Sequence, residues 1–181
     1  MLSLDSPRWA TLKASPGGTG ELAARLLAEI RAGTVKKADW AELYHQACHQ
    51  FTILGDLAYA VVPHVVDIAG RLPVRNRIWP LVIAGTVAAC SMAFPSSSPP
   101  VPDDLRADYE ASAQPALQMA TSALSETGWR RGEVVELLGV VAAFQGHCDL
   151  AMHLFLHGGS DHDLHCPECG EYIRWREGAE G

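Results

Sequence analysis

The apolar residues of this chain recur at helical spacing from residue 21 to residue 156. No segment before residue 164 shows the strict polar–apolar alternation of a half-buried strand. Glycines and prolines separate the periodic segments. One of these segments carries its apolar stripe at Trp40, Leu43, Tyr44, Ala47, Phe51 and Leu54. The spacing predicts an all-α fold in which consecutive helices are joined mostly by short turns.

We predict seven helices, at residues 21–31, 39–54, 57–69, 74–94, 103–126, 130–145 and 148–156. The second is expected to begin at Asp39, with Glu42 completing a capping box. Pro63 and Pro80 are expected to interrupt their helices, and Pro115 to bend the fifth. Seven helices in this order indicate an α-solenoid or an irregular helical bundle.

The chain divides into three parts. Residues 1–18 are predicted to be a flexible N-terminus, residues 19–157 a helical domain, and residues 158–181 a tail that binds metal. Within the helical domain, the proline-rich stretch 95–102 is predicted to be an exposed loop, because its prolines lack the backbone donors that a helix needs.

Composition limits the classes of function. The formal net charge is −7, from 14 Lys and Arg against 21 Asp and Glu. We therefore expect no nucleic-acid or membrane partner, since both require a concentrated positive field. The N-terminus lacks the apolar centre of a signal peptide, and the longest apolar stretch, 78–94, is short for a membrane span. These features predict a cytoplasmic, bacterial protein whose five cysteines are reduced, with Cys90 a thiol of the core.

The tail carries the sharpest chemical signal, Cys166-Pro-Glu-Cys169-Gly. Cysteines at this spacing, with Pro between them and Gly after them, form a tight turn that aims both thiolates at one point, as in half of a zinc site. A structural zinc site needs two more ligands. We predict His162 and His157, with His153 or Cys148 as alternatives for the fourth position. Other interpretations are a turn that has lost its metal, a redox-active dithiol, and two chains that share one zinc across a dimer axis.

Two further groups of polar residues lie in the helical domain. Glu42, His45 and His49 form one stripe of the second helix, which is half of a di-iron carboxylate motif or, more simply, a solvated face. His64 lies on an apolar face of the third helix, where a buried imidazole needs a hydrogen-bond partner. Because the second and third helices should pack together, a small-ligand pocket is predicted at His49, Gln50, Tyr59 and His64.

The blocks that carry a family resemblance are Trp-Ala-Glu-Leu-Tyr-His-Gln-Ala-Cys-His-Gln-Phe-Thr at 40–52 and Ala-Tyr-Ala-Val-Val-Pro-His-Val-Val-Asp-Ile-Ala at 58–69. These blocks resemble small bacterial HEAT-like proteins, in which a His-Gln pair ends one helix and a Tyr-Ala-x-x-Pro block forms the next. The block at 137–147 and the terminal Cys-Pro-x-Cys-Gly are also similar to features of such proteins, so the resemblance covers roughly residues 38–175. It implies an α–α repeat scaffold and carries no catalytic residue with it. Some members are interaction or toxin-neutralising proteins.

The sequence thus predicts a HEAT-like α-solenoid or irregular bundle with a small C-terminal zinc-knuckle hairpin. The expected function is that of a non-catalytic scaffold or accessory protein, which binds a protein partner as a monomer or a homodimer and holds a structural zinc ion. The alternative is a metal-dependent enzyme, or the metal-binding subunit of one. It would use the histidine-rich C-terminal region or the region of His45, His49 and His64.

Overall fold

A computed structural model describes residues 1–15, 18–33, 36–157, 164–165 and 172–173. Within these ranges the fold is helical, which confirms the predicted class. Its α-helices are α1 (Gly20–Arg31), α2 (Lys37–Ala47), α3 (Leu57–Arg71), α4 (Ile78–Ala93), α5 (Asp103–Ala111), α6 (Ala113–Leu124), α7 (Arg131–Phe144) and α8 (Cys148–His157). Two 3-10 helices, Pro7–Thr11 and Val74–Asn76, and one pair of short strands, β1 (Leu164–His165) and β2 (Tyr172–Ile173), complete the described elements.

The core is built around α3 and α4. Both helices are apolar on nearly every side, so neither can leave a broad face in water, and both are buried along most of their length. Helix α4 packs against α3 on one side and against α7 and α8 on the other, while α1 and α2 cover α3. Because α4 contacts helices distant in the sequence as well as its neighbour, the packing is that of a helical bundle.

Helix α2 begins and ends earlier than the sequence indicates. It starts at Lys37, and Asp39 is its third residue, where the carboxylate accepts a hydrogen bond from the backbone N–H of Lys36 at 2.7 Å. The helix ends at Ala47 instead of residue 54. The apolar stripe was misleading here, since Leu54 is 44% exposed whereas Ile53, which lies off the stripe, is fully buried.

Prolines set two other boundaries. The predicted fifth helix is two helices that meet at Ser112, because Pro115 has no N–H for the carbonyl of Ala111. The predicted fourth helix is shorter than expected, since Val74–Asn76 is a 3-10 turn and Pro80 lies in the first turn of α4, where a missing donor costs little. Pro63 lies inside α3, and that helix continues through it to Arg71.

The N-terminal segment, predicted to be flexible over residues 1–18, contacts the helices at several points within residues 1–15. Residues 7–11 form a 3-10 helix that places Trp9 in the core, and the indole N–H of Trp9 donates to the carbonyl of Ser3 at 2.8 Å. Arg8 pairs with Asp104 of α5 at 2.8 Å. The loop 95–102 is also held, since the Tyr59 hydroxyl donates to the carbonyl of Pro99 at 2.7 Å. None of the described helices has both the length and the apolarity to cross a membrane.

Candidate functional sites

The tail is described only at its two strands. Strand β1 pairs antiparallel with β2, with Leu164 opposite Ile173 and His165 opposite Tyr172. The paired residues therefore lie on either side of segment 166–171 in the sequence, which contains the Cys-x-x-Cys motif. The predicted zinc ligands Cys166, Cys169 and His162 lie outside the described residues, as does the side chain of His157 at the end of α8. The zinc site stays a prediction.

The polar stripe of α2 has a structural connection at one end. Glu42 accepts a hydrogen bond from the side-chain N–H of Gln46 at 2.6 Å. The side-chain oxygen of Gln46 in turn accepts one from the backbone N–H of Thr19 at 3.0 Å. This chain of bonds ties α2 to the start of α1. His45 is exposed, and its ring meets Tyr44 edge to face with centroids 6.0 Å apart. His45 and His49 thus lie nearer the surface than His64, which is buried.

The four residues of the predicted ligand pocket have different neighbours. His49 and Gln50 belong to a turn after α2. Tyr59 points toward the proline-rich loop, and its ring meets Tyr109 of α5 edge to face at 5.1 Å. His64 packs on Trp9 of the N-terminal segment, with ring centroids 5.6 Å apart. A pocket shared by all four stays a prediction.

His64 is the most perturbed histidine among the described residues. Its residue surface is 1% exposed, and neither ring nitrogen has a hydrogen-bond partner in the described part of the chain. Burial and, to a smaller extent, the positive charge of Arg31 together lower the pKa of His64 from 6.5 to about 4, although the backbone of Leu2 acts in the opposite direction. The imidazole is therefore neutral at physiological pH. The ring can act as a core side chain or as a base, but not as a cation.

Three sulfur atoms meet in the core. Cys48 follows α2, Cys90 lies on α4 and Met152 lies on α8, and all three are buried. The Cys90 sulfur is 3.9 Å from the Cys48 sulfur and 3.7 Å from the Met152 sulfur. We call these three residues the sulfur cluster. In the described ranges, no group of three or more His, Cys, Asp and Glu side chains is arranged to hold a metal ion. The sulfur cluster is a different arrangement, because its third member is the thioether of a methionine.

A tight turn lies directly against the sulfur cluster. His49 and Thr52 exchange both backbone hydrogen bonds, at 3.1 and 2.9 Å, and Gln50 and Phe51 connect them with φ of +48° and +57°. Two left-handed residues make the type I′ geometry that normally uses Asn-Gly, so a glutamine and a phenylalanine here are strained. The carbonyl of Phe51 accepts the Cys90 S–H at 3.1 Å.

The protonation of the two cysteines is shared. Contact with the Cys90 sulfur is the largest influence and lowers the pKa of Cys48, burial raises it, and the nearby backbone of Phe51 and Thr52 lowers it further. The same contact with Cys48, together with burial, raises the pKa of Cys90. Cys48 is thus the thiol that loses its proton first, and Cys90 is the one that keeps it.

A cleft of about 620 Å³ opens at the junction of α1, α2, α4 and α7. Its walls combine two tryptophans, Trp40 and Trp79, with two carboxylates, Glu133 and Glu136. Trp40 is buried, whereas Trp79 is 37% exposed. Arg75 also lines the cleft, and its guanidinium donates to the carbonyls of Thr127 and Gly128 and lies 4.3 Å from the centre of the Trp129 ring.

Sequence reasoning missed both the sulfur cluster and the cleft. The burial of Cys90 agrees with the prediction that it is a core thiol. Its neighbours could not be predicted, because Cys48 and Met152 are far from it in the sequence and no local spacing connects them. The only available signal was that Cys48, Cys90 and Met152 each fall on an apolar face of a helix or at its end. No protein-family model, curated protein or solved structure matches this chain.

Proposed function

We propose that this chain is a helical scaffold that acts through protein contacts, and that it binds a basic segment of a partner protein in the cleft at Trp79. The observation that supports this most directly is the composition of the cleft wall. Trp79 is exposed and shares the cleft wall with two glutamates, of which Glu133 also accepts the backbone N–H of Arg130 at 2.7 Å. The wall thus combines an aromatic face with negative charge. Lysine and arginine side chains bind well to such surfaces, through cation–π and charge-assisted contacts.

The cleft wall also contains one arginine, Arg75, whose guanidinium is held by neighbouring groups. The Arg75 guanidinium donates to the carbonyls of Thr127 and Gly128 and lies over Trp129, so it is held against the α6–α7 connection. The net charge of the whole chain, −7, also favours a basic partner, because complementary charge raises association rates.

Zinc in the tail is the second part of the proposal. Cys166 and Cys169 would supply two thiolates, and His162 and His157 the remaining ligands, or two chains would share one ion in a homodimer. The pairing of β1 with β2 on either side of the Cys-x-x-Cys motif supports a hairpin knuckle. The relationship to HEAT-like repeat scaffolds belongs to the same proposal, since such scaffolds present concave helical surfaces to partners.

One purification from the organism of origin tests both parts. We would purify the wild type, a Trp79→Ala/Glu136→Gln variant and a Cys166→Ser/Cys169→Ser variant, and measure co-purifying proteins, zinc content and solution mass. We expect a specific partner with the wild type, at least ten-fold less of it with the cleft variant, and about one zinc per chain that is lost in the cysteine variant. Half a zinc per chain in a dimer would indicate a shared ion.

Met92→Ala is the matched control for the cleft. Met92 is 42% exposed on α4 and does not line the cleft, so its removal should leave the partner bound. Equal capture by the wild type, the cleft variant and the control would contradict docking at Trp79. Zinc content that is unchanged by the cysteine substitutions would contradict the knuckle.

A further inference from the structure

We propose that the sulfur cluster is a binding site for a soft monovalent metal ion, Cu(I), with Cys48, Cys90 and Met152 as its ligands. This site shares no residue with the proposed zinc knuckle or with the cleft. Its three residues come from three parts of the chain: the residue after α2, the last turn of α4 and the middle of α8.

The sulfur spacing fits one ion. Cys90 lies 3.9 Å from Cys48 and 3.7 Å from Met152, measured between sulfur atoms. Sulfur ligands that surround one ion at the usual metal–thiolate bond length of about 2.3 Å lie about 4 Å from one another. The Cys90 sulfur therefore lies at the spacing of a co-ligand from each of the other two sulfurs.

The ligand types favour Cu(I) over zinc. A thioether is a soft, neutral donor that suits Cu(I), whereas structural zinc sites use four ligands drawn from thiolates, imidazoles and carboxylates. The three sulfur residues are buried at 0–7% exposure, so water is poorly placed to supply a fourth ligand. A buried three-sulfur environment suits a monovalent ion of low coordination number.

The turn after α2 lies directly against the cluster. The carbonyl oxygen of Phe51 is 3.1 Å from the Cys90 sulfur. The strained residues Gln50 and Phe51 create this arrangement, and strain of this kind persists where the surroundings impose it, often at functional sites. When Cu(I) binds, both thiols lose their protons to solvent, and two thiolates, one thioether and one Cu(I) leave the site with a single negative charge.

The turn also provides a route to the site. Gln50 is exposed and Phe51, whose carbonyl contacts the Cys90 sulfur, is half-buried, so the turn beside the cluster reaches the surface. Local opening of this turn would expose the sulfurs without unfolding α4.

Cu(I) binding is best tested in the full chain that carries Cys166→Ser/Cys169→Ser, because this background removes the tail thiolates. The protein would be titrated anaerobically with Cu(I) in competition with a Cu(I)-specific chelator. We expect one tightly held Cu(I) per chain, and X-ray absorption should show only sulfur ligands at about 2.3 Å. Since the tail cysteines are absent, this result does not depend on the zinc proposal.

Three variants in that background identify the ligands. Cys90→Ala should abolish binding, and Met152→Leu, which keeps the side-chain volume, should weaken it at least ten-fold. Cys148→Ala should bind as the background does, because Cys148 is a half-buried thiol of α8 that lies outside the cluster. Circular dichroism would verify folding, and Met152→Leu remains decisive if Cys90→Ala does not fold.

The proposal is overturned by any of three results. The first is a background protein that gives up Cu(I) to the chelator completely. The second is binding that is unaffected by both Cys90→Ala and Met152→Leu. The third is a Cys48–Cys90 disulfide in freshly purified protein, which would make the pair a covalent crosslink rather than a metal site.

Discussion

At the scale of single residues, His64 shows how burial decides the chemistry of a side chain. The sequence places it on an apolar helix face, and the structure leaves both ring nitrogens without a partner among the described residues. An unsatisfied buried polar group costs about 1–3 kcal/mol, so His64 is expected to lower stability at every pH. Protonation inside the core would cost still more.

Stability should therefore fall as the pH is lowered through the range of His64. The unfolded chain binds a proton below pH 6.5 and the native chain only below about pH 4, so the unfolded state binds more protons between these values. A pKa difference of this size, from 6.5 to about 4, corresponds to about 3 kcal/mol. The loss should be measurable by urea denaturation at pH 7, 5.5 and 4.5.

His64→Leu isolates this contribution. The variant should lose most of the pH slope and be about 1 kcal/mol more stable at pH 7, since the unsatisfied nitrogens are removed. His45→Gln, on the exposed side of α2, is the control and should keep the slope of the wild type. An unchanged slope in His64→Leu would show that other groups, such as carboxylates, carry the pH dependence.

At the scale of elements, the turn after α2 shows local propensity overruled by packing. Helical spacing predicts that the helix continues to residue 54. Instead, Gln50 and Phe51 adopt left-handed backbone conformations, which are unfavourable for residues other than glycine. The structure retains them because the turn directs Cys48 and Ile53 into the core, where both are buried. Burial of these two side chains offsets the strain.

Gln50→Gly should relieve part of that strain. Glycine adopts a positive φ without penalty, and Gln50 is exposed, so the variant is expected to gain about 1 kcal/mol of unfolding free energy by urea denaturation. The same substitution at Gln145, which is also exposed but has φ of −90°, should cost up to about 1 kcal/mol. Two losses of similar size would mean that the turn at Gln50 is not strained.

At the scale of the whole molecule, the bundle depends on the close approach of α4, α7 and α8. Gly85 of α4 faces the backbone of α7, and a Cβ atom at Gly85 would lie 3.0 Å from the Cα of Val140 and 3.2 Å from the ring of Phe155. Gly139 of α7 lies against the same ring, with Phe155 atoms 2.7 Å from its Cβ position. These glycines let Phe155 fill the space where the three helices meet.

Gly85→Ala should separate these helices. Alanine would normally favour a helix by about 1 kcal/mol over glycine, but the contact with backbone of α7 should reverse the sign and lower stability by about 1–3 kcal/mol. Gly132→Ala in the first turn of α7, where a Cβ meets nothing within 4 Å, should instead be neutral or stabilising. Thermal or urea denaturation measures both, and a stabilised Gly85→Ala would contradict the close packing.

The sequence by itself determined the helical class, the positions of most helices and the burial of α3 and α4. These follow from local spacing and from the near-absence of polar residues in segments such as 57–69. A helix that is apolar on nearly every side is stable only when it is buried. The sequence also predicts a zinc site at Cys166 and Cys169, because the motif that indicates it is a local one. Its errors at residues 48–54 and 112 fell where a turn or a proline competed with helical periodicity.

Only the tertiary structure decided what the buried side chains face. The contact of Cys90 with Cys48 and Met152, the packing of His64 on Trp9 and the cleft at Trp79 all join residues from separate helices. Helical spacing specifies which face of a helix is buried, but the partner of that face depends on the order and angle in which all the helices pack. These contacts therefore become visible only in the folded chain.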